Sequence, residues 1–384
     1  MTPADSAIAP HRIYLVAGMH RAGTSVVARA LQAHGIDLGP RLMSADVRMN
    51  ARGFFEDLDL VRIDDALLDA CGADWKSVAL LDEVDWTAPA FAAQATAAAA
   101  LLAARLAPTG AYGCKDPRIP RLLPFWQRQF ASAGVADHYV VAIRHPRSVI
   151  ASLTARDGLD ERRSGWLWLT HLVCALHYSK NRPLVVVDYD RMLAAPQHEL
   201  ARIGSALRIA PTADAIAASA LFVDGFLSPE LRHAEHAAAD LAHVSLPSAV
   251  AEAWAVASAL ARDEASPDQC RTRIETLFAD LRQASPLLGY AGSVERVADD
   301  VPRLEGELAW ARTSLAEATA HAASLAATLD ARDRAHAAAT TFAVDLQSTV
   351  ARKDAELREM QAVLDRVRER IMGRVLLRGI ERKR

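Results

Sequence analysis

The chain has 384 residues, 51% of them apolar and 24% charged, which excludes a wholly disordered, collagen-like or disulfide-stapled protein. Its 44 lysines and arginines against 47 aspartates and glutamates leave a net charge of −3, so no global electrostatic term favours nucleic acid as a partner. At roughly 150 residues per domain the length allows two or three units.

Residues 1–11 hold no apolar stretch of the kind a secretory signal needs and are expected to be flexible. The run Ile13-Tyr14-Leu15-Val16-Ala17 reads as a strand, followed by a glycine loop and an apolar-periodic helix over 24–33. Residues 91–107 are mostly alanine but carry Gln94 and Arg105, and read as a soluble helix rather than a membrane span. Two more apolar runs, 139–143 and 184–187, read as strands buried on both faces. The expected fold is therefore an α/β domain with a mainly parallel sheet flanked by helices, over 12–290. Residues 214–286 are helical in pattern, interrupted around 228–246. Cys71, Cys114, Cys174 and Cys270 show no C-x-x-C spacing, which fits a reduced, cytoplasmic setting without a zinc or dithiol site.

From Val301 the pattern changes. Val301, Leu308, Leu315 and their successors to Ile371, with Leu304, Ala311, Ala318 and theirs to Val367, keep one unbroken heptad register. No proline or glycine falls between Glu307 and Met372, and a coiled coil is predicted over 296–372, joining either a second copy or a partner helix. Arg332, His336 and Lys353 interrupt the seam. The basic tail, 373–384, ends a segment from Arg366 with eight basic and two acidic residues, suited to an anionic membrane surface or another acidic partner.

After the first strand comes Gly18-Met19-His20-Arg21-Ala22-Gly23-Thr24-Ser25. Two glycines five apart let backbone N–H groups turn inward, and the helix that follows adds its positive end, so the loop suits phosphate or sulfate. The spacing is that of a nucleoside-triphosphatase loop, but Thr24 stands where the lysine should be, which counts against a P-loop kinase. The charge is carried instead by Arg21. A second anion site is expected from Arg144-His145-Pro146-Arg147-Ser148-Val149-Ile150-Ala151-Ser152, where a strand ends on Arg144 and Ser152 lies two helical turns on. Arg147 and Arg156 read as residues of exposed faces.

Together these stretches resemble the sulfotransferases that use 3′-phosphoadenosine 5′-phosphosulfate (PAPS). The first matches their 5′-phosphosulfate loop and the second their 3′-phosphate motif. Lys115-Asp116-Pro117-Arg118 resembles the K-D-P-R turn of the bacterial and Golgi-type branch, and Val187-Asp188-Tyr189-Asp190-Arg191-Met192-Leu193 with Pro196 its Y-E-D-L-x-x-x-P segment. The resemblance implies that Gly18, Arg21, Ala22, Gly23, Thr24 and Ser25 hold the 5′-phosphosulfate, Arg144 and Ser152 the 3′-phosphate, and that Tyr189 lies near the adenine. The family's C-terminal R-K-G-x-x-G-x-x-K loop is absent, and Leu231-Arg232-His233 is the candidate to serve in its place.

Sulfuryl transfer builds charge on the leaving phosphate, which Arg21 and Lys115 are positioned in sequence to meet, with no metal expected. Lys115 is one of only five lysines in a chain with 39 arginines. A general base is also needed: Glu56, in Asn50-Ala51-Arg52-Gly53-Phe54-Phe55-Glu56, resembles the acidic residue of the family's N-P-x-G-F-x-E segment, and Asp116 is the second choice. The acceptor, a carbohydrate, lipid-linked or small-molecule hydroxyl or amine, would meet variable segments such as 41–48 and 75–86. A catalytically inactive P-loop and coiled-coil scaffold is the competing reading.

Overall fold

The computed structural model describes residues 11–45, 53–227 and 246–381. Outside them lie residues 1–10 of the expected flexible N-terminus, Asn50 to Arg52 of the Glu56 segment, 46–48 of the expected acceptor-facing stretch, Leu231-Arg232-His233, and the last three residues of the basic tail.

The chain divides into two compact units, Met1–Arg296 and Val297–Arg384. In the first, the order is β1 (Arg12–Ala17), α1 (Thr24–Ala33), α2 (Leu58–Ala70), α3 (Ala92–Leu106), β2 (Ala111–Lys115), α4 (Ile119–Ser132), β3 (Ala136–Ile143), α5 (Pro146–Asp157), α6 (Glu161–Tyr178) and β4 (Leu184–Asp188). Then come α7 (Tyr189–Ala194), α8 (Pro196–Ala206), α9 (Ala213–Leu221), α10 (Ser248–Ala261) and the start of α11 (Pro267–Glu381).

The strands are all parallel, in the order β2-β1-β3-β4. Side chains alternate between the sheet's two faces with the period of two that a pleated strand imposes. Ile13, Leu15, Tyr112, Cys114, Tyr139, Val141 and Val186 pack under α3, α4, α6 and α10. Tyr14, Val16, Val140, Ala142, Val185 and Val187 pack against α1, α8 and Phe222. Both faces are covered, which is why the strands read as continuous apolar runs. Strand β2 lies outside the sequence expectation, which places only a turn at Lys115. Its five residues A-Y-G-C-K offer just two apolar side chains larger than alanine, and pairing with β1 is what extends it.

Local chemistry sets the helix boundaries. Asp57, Asp160, Asp188 and Thr212 accept backbone N–H groups at the starts of α2, α6, α7 and α9. Prolines open α5 and α8, and Gly158, at φ 67°, closes α5. The stretch Pro89–Leu106 is long and apolar enough to cross a membrane by length and composition. It is alanine that makes it so, and Ala98, Leu101, Leu102 and Leu106 of this stretch are buried in the core.

In the second unit, from Val297, α11 continues as one helix, and its described large apolar side chains up to Val367 are 44% to 73% exposed.

Candidate functional site

In a parallel sheet every strand delivers its C-terminal end to the same edge, and ligands bind in the crevice where neighbouring connections diverge. Here β1 leads outward to β2 on one side and is flanked by β3 on the other. Gly18 follows β1, Lys115 ends β2, Arg144 follows β3 and Tyr189 follows β4. Four motifs lying between Gly18 and Tyr189 in sequence are thus gathered along one edge by topology alone.

The loop after β1 is shaped by close approach. A Cβ on Gly18 would lie 2.6 Å from the carbonyl oxygen of Ala142 in β3. Gly23, at φ 88°, precedes α1, whose first turn has no side-chain cap. Between them Arg21 takes a left-handed backbone, φ 69°, uncommon for a side chain of its size. Its Nε donates to Oγ of Ser152 at 2.7 Å, so the loop after β1 and the helix after β3 are joined directly. Ala22 and Thr24 are buried and contribute packing and backbone, while Oγ of Ser25 donates to the carbonyl of Phe54 at 3.3 Å.

Arg144 is buried, its guanidinium 4.6 Å from the centre of the Tyr189 ring. Its backbone carbonyl accepts from Nε1 of Trp168 at 3.2 Å. Nε of Arg144 and Oγ of Ser148 are buried without a hydrogen-bond partner among the described residues. A buried guanidinium N–H and a buried hydroxyl left without partners are each costly unless a ligand such as an anion completes them. Burial, together with the Arg156 and Arg144 guanidinium groups, lowers the pKa of Arg21, the mark of a crowded cationic cluster.

The acidic half of the site sits on the loop before α2. Glu56 is buried and accepts from Nζ of Lys115, which also donates to the Phe54 carbonyl at 3.1 Å. Burial raises the Glu56 carboxyl above its ordinary range, against the opposing pull of Lys115. Phe55 holds a positive φ of 59°, and its ring meets Phe226 edge-on at 5.9 Å. Next in sequence, Asp57 is clamped by Arg105 at 2.7 Å and by Tyr112 Oη at 3.0 Å, which fixes the loop from below.

Asp116, expected as the alternative base, is fully buried with both carboxylate oxygens engaged by Nη1 of Arg118, at 2.9 and 3.0 Å. Behind it, Asp64 accepts from Nε1 of Trp126 at 2.7 Å, and burial with the Asp116 charge pushes its carboxyl well above the usual range. Of these two buried carboxyl groups, one is held by Trp126 and the other by Arg118.

Tyr189, expected near an adenine, is 6% exposed and packed in the core as well as against Arg144. Arg156, read as an exposed-face residue, is half-buried: it pairs with Asp157 at 2.8 Å and lies 5.7 Å from the centre of the Trp75 ring. His20 sits against the same tryptophan, 4.6 Å between ring centres, and burial with nearby Arg118, Lys115 and Arg156 keeps it well below 6.5 and therefore neutral. Sequence spacing gave His20, Arg156 and Ser148 no role at the site, although His20 and Ser148 lie inside the two quoted motifs, whereas Trp75 opens the 75–86 segment expected to face the acceptor.

No family model and no curated protein matches the chain. Among solved structures it is similar to the sulfotransferase domain from the curacin biosynthetic pathway, 16% identical over 55% of this chain and 78% of that one, with a TM-score of 0.33. It is likewise similar to the sulfotransferase domain from the Synechococcus PCC 7002 olefin synthase, 16% identical over 64% of this chain and 94% of that one, with a TM-score of 0.37.

Proposed function

We propose that this protein is a sulfotransferase that takes a sulfuryl group from PAPS and passes it to a hydroxyl or amine of a carbohydrate, lipid-linked or small-molecule acceptor. The observation that carries the reading is the joining of two anion motifs: Arg21 bonded to Ser152, with Arg144 and Ser148 beside them buried and holding unsatisfied donors. An adenosine donor with phosphates at both its 3′ and 5′ ends matches two such sites better than a single phosphate would.

In the reaction the bond from sulfur to the bridging phosphate oxygen breaks, one from sulfur to the acceptor oxygen forms, and the acceptor's proton is released. Arg21 and the first turn of α1 stand where charge collects on the leaving phosphate. Arg144, Ser148 and Ser152 hold the 3′-phosphate, with Tyr189 acting through Arg144, which its ring supports. Glu56 receives the acceptor's proton: burial makes it a stronger base than an exposed glutamate, against the opposing pull of Lys115. Asp116 is assigned to holding Arg118.

Titration calorimetry with adenosine 3′,5′-bisphosphate tests the donor half. Binding is expected, with Arg144→Ala weakening it at least tenfold, about 1.4 kcal/mol. Equal binding of adenosine 5′-phosphate would remove the 3′-phosphate assignment. Labelled donor offered with glycans, lipids and small alcohols tests transfer itself, and binding without transfer to any of them would favour the scaffold reading.

A further inference from the structure

Along the second unit the large apolar residues of the heptad seam are about half exposed, from Leu304 at 50% to Val367 at 47%. A seam that repeats every 3.5 residues on one helix is buried only by another helix wound around it. The identity and direction of that helix can be read from the residues that spoil the seam.

In a parallel pair in register, each seam residue faces its own copy. Ala311, Ala318, Ala322, Ala339 and Ala343 would then form five alanine-on-alanine layers, too small to fill the space between helices. Arg332, His336 and Lys353 would each meet an identical side chain, and Asp300 would flank Glu305.

We infer that α11 pairs with a second copy of itself in the antiparallel sense, about a two-fold axis between Ala337 and Ala338. Every seam alanine then faces a large side chain: Ala311 opposes Leu364, Ala318 Leu357, Ala322 Lys353, Ala339 His336 and Ala343 Arg332. The three polar seam residues thus lie over alanine, where a long side chain has room to turn its charged end out to water. The remaining layers, 308 with 367, 315 with 360, 325 with 350 and 329 with 346, join two large apolar side chains. The flanks agree: Glu305 meets Arg368, Glu307 meets Arg370 and His321 meets Glu356, Phe342 lies beside Ala335, and no like charges face each other. A one-heptad slip one way sets Arg332 on His336 and Asp333 on itself. The opposite slip shortens the overlap and sets Lys353 on Leu329. The contact is isologous and closes as a dimer.

Light scattering of the full-length chain is expected to give a dimer. In a variant carrying both Arg332→Cys and Ala343→Cys, mild oxidation is expected to link position 332 of one copy to 343 of the other, identified by peptide mass spectrometry. These positions are too far apart to bridge within one helix. A spin label on Thr313→Cys, which faces outward, should report roughly 70 Å between copies, from about 1.5 Å per residue. A monomer, a higher oligomer, links of 332 to 332 and 343 to 343, or a label distance near 20 Å would each overturn the inference.

Discussion

A methyl group on Gly23 would sit 2.5 Å from Cδ2 of Tyr189, so the glycine at the mouth of α1 and the ring that supports Arg144 compete for one space. Gly23→Ala is therefore expected to act on both anion sites at once, because φ 88° is also unfavourable for alanine. Calorimetry should show adenosine 3′,5′-bisphosphate binding weakened at least tenfold, about 1.4 kcal/mol. Unchanged affinity would mean that Tyr189 does not position Arg144.

The Glu56–Lys115 pair sets a pH dependence. Burial raises the Glu56 pKa and Lys115 pulls it back, so the base is ionised only above a pKa higher than that of a free glutamate. Turnover should rise with pH through that value. Lys115→Met removes the opposing pull and should move the rising limb to higher pH, while Glu56→Gln should abolish the limb and lower kcat by about 10²-fold or more. A rising limb that survives Glu56→Gln would assign the proton to another group.

Removing the Asp64 carboxyl and removing the arginine that holds Asp116 should differ in cost. Burial pushes the Asp64 carboxyl well above its usual range and so favours its neutral form, and Asp64→Asn is expected to change stability by less than about 1 kcal/mol. Arg118→Met removes the guanidinium that engages both oxygens of the buried Asp116 side chain and should cost about 3–5 kcal/mol. Denaturant midpoints of the two variants check this, and equal losses would contradict the assignment.

His171 is buried with Nδ1 on the carbonyl of Leu167 at 2.7 Å, and burial lowers its pKa from 6.5 to about 3. The unfolded chain binds this proton readily and the folded chain does not. The contribution is therefore whole above pH 6.5 and is lost as pH falls from there toward about 3, at up to about 1.4 kcal/mol per pH unit. Unfolding followed by fluorescence at pH 7 and pH 5 should show this loss, and His171→Leu should flatten it.

The parts of the fold that sequence made legible are those whose signal is local. The strand of 13–17 follows from its continuous apolar run, and the helix of 24–33 and the long helix beyond Val301 from the period of their apolar residues. Strand β2 was hidden because only Tyr112 and Cys114 of its five residues carry an apolar side chain larger than alanine, and its extension depends on β1. The site divides in the same way. Arg21, Arg144 and Ser152 stand out because strand ends and glycine spacing mark them, and the parallel sheet brings them together. Arg156 did not, since a basic residue in the last turn of a helix looks alike whether it faces water or, as here, Trp75. The engagement of Asp116 by Arg118 is a matter of side-chain direction that its neighbouring position in sequence leaves undetermined.

The carbonyl of Phe54 has a consequence for anyone wishing to redirect this protein to new acceptors. It receives both Ser25 in the first turn of α1 and Lys115, the partner of Glu56, so one backbone oxygen is shared by the two halves of the site. Libraries that randomise the segment around it will trade acceptor scope against nucleotide retention. Variants that keep Gly53 and Phe54 while diversifying their surroundings should escape that trade, and a nucleotide-affinity column would sort the two populations before any acceptor is tried.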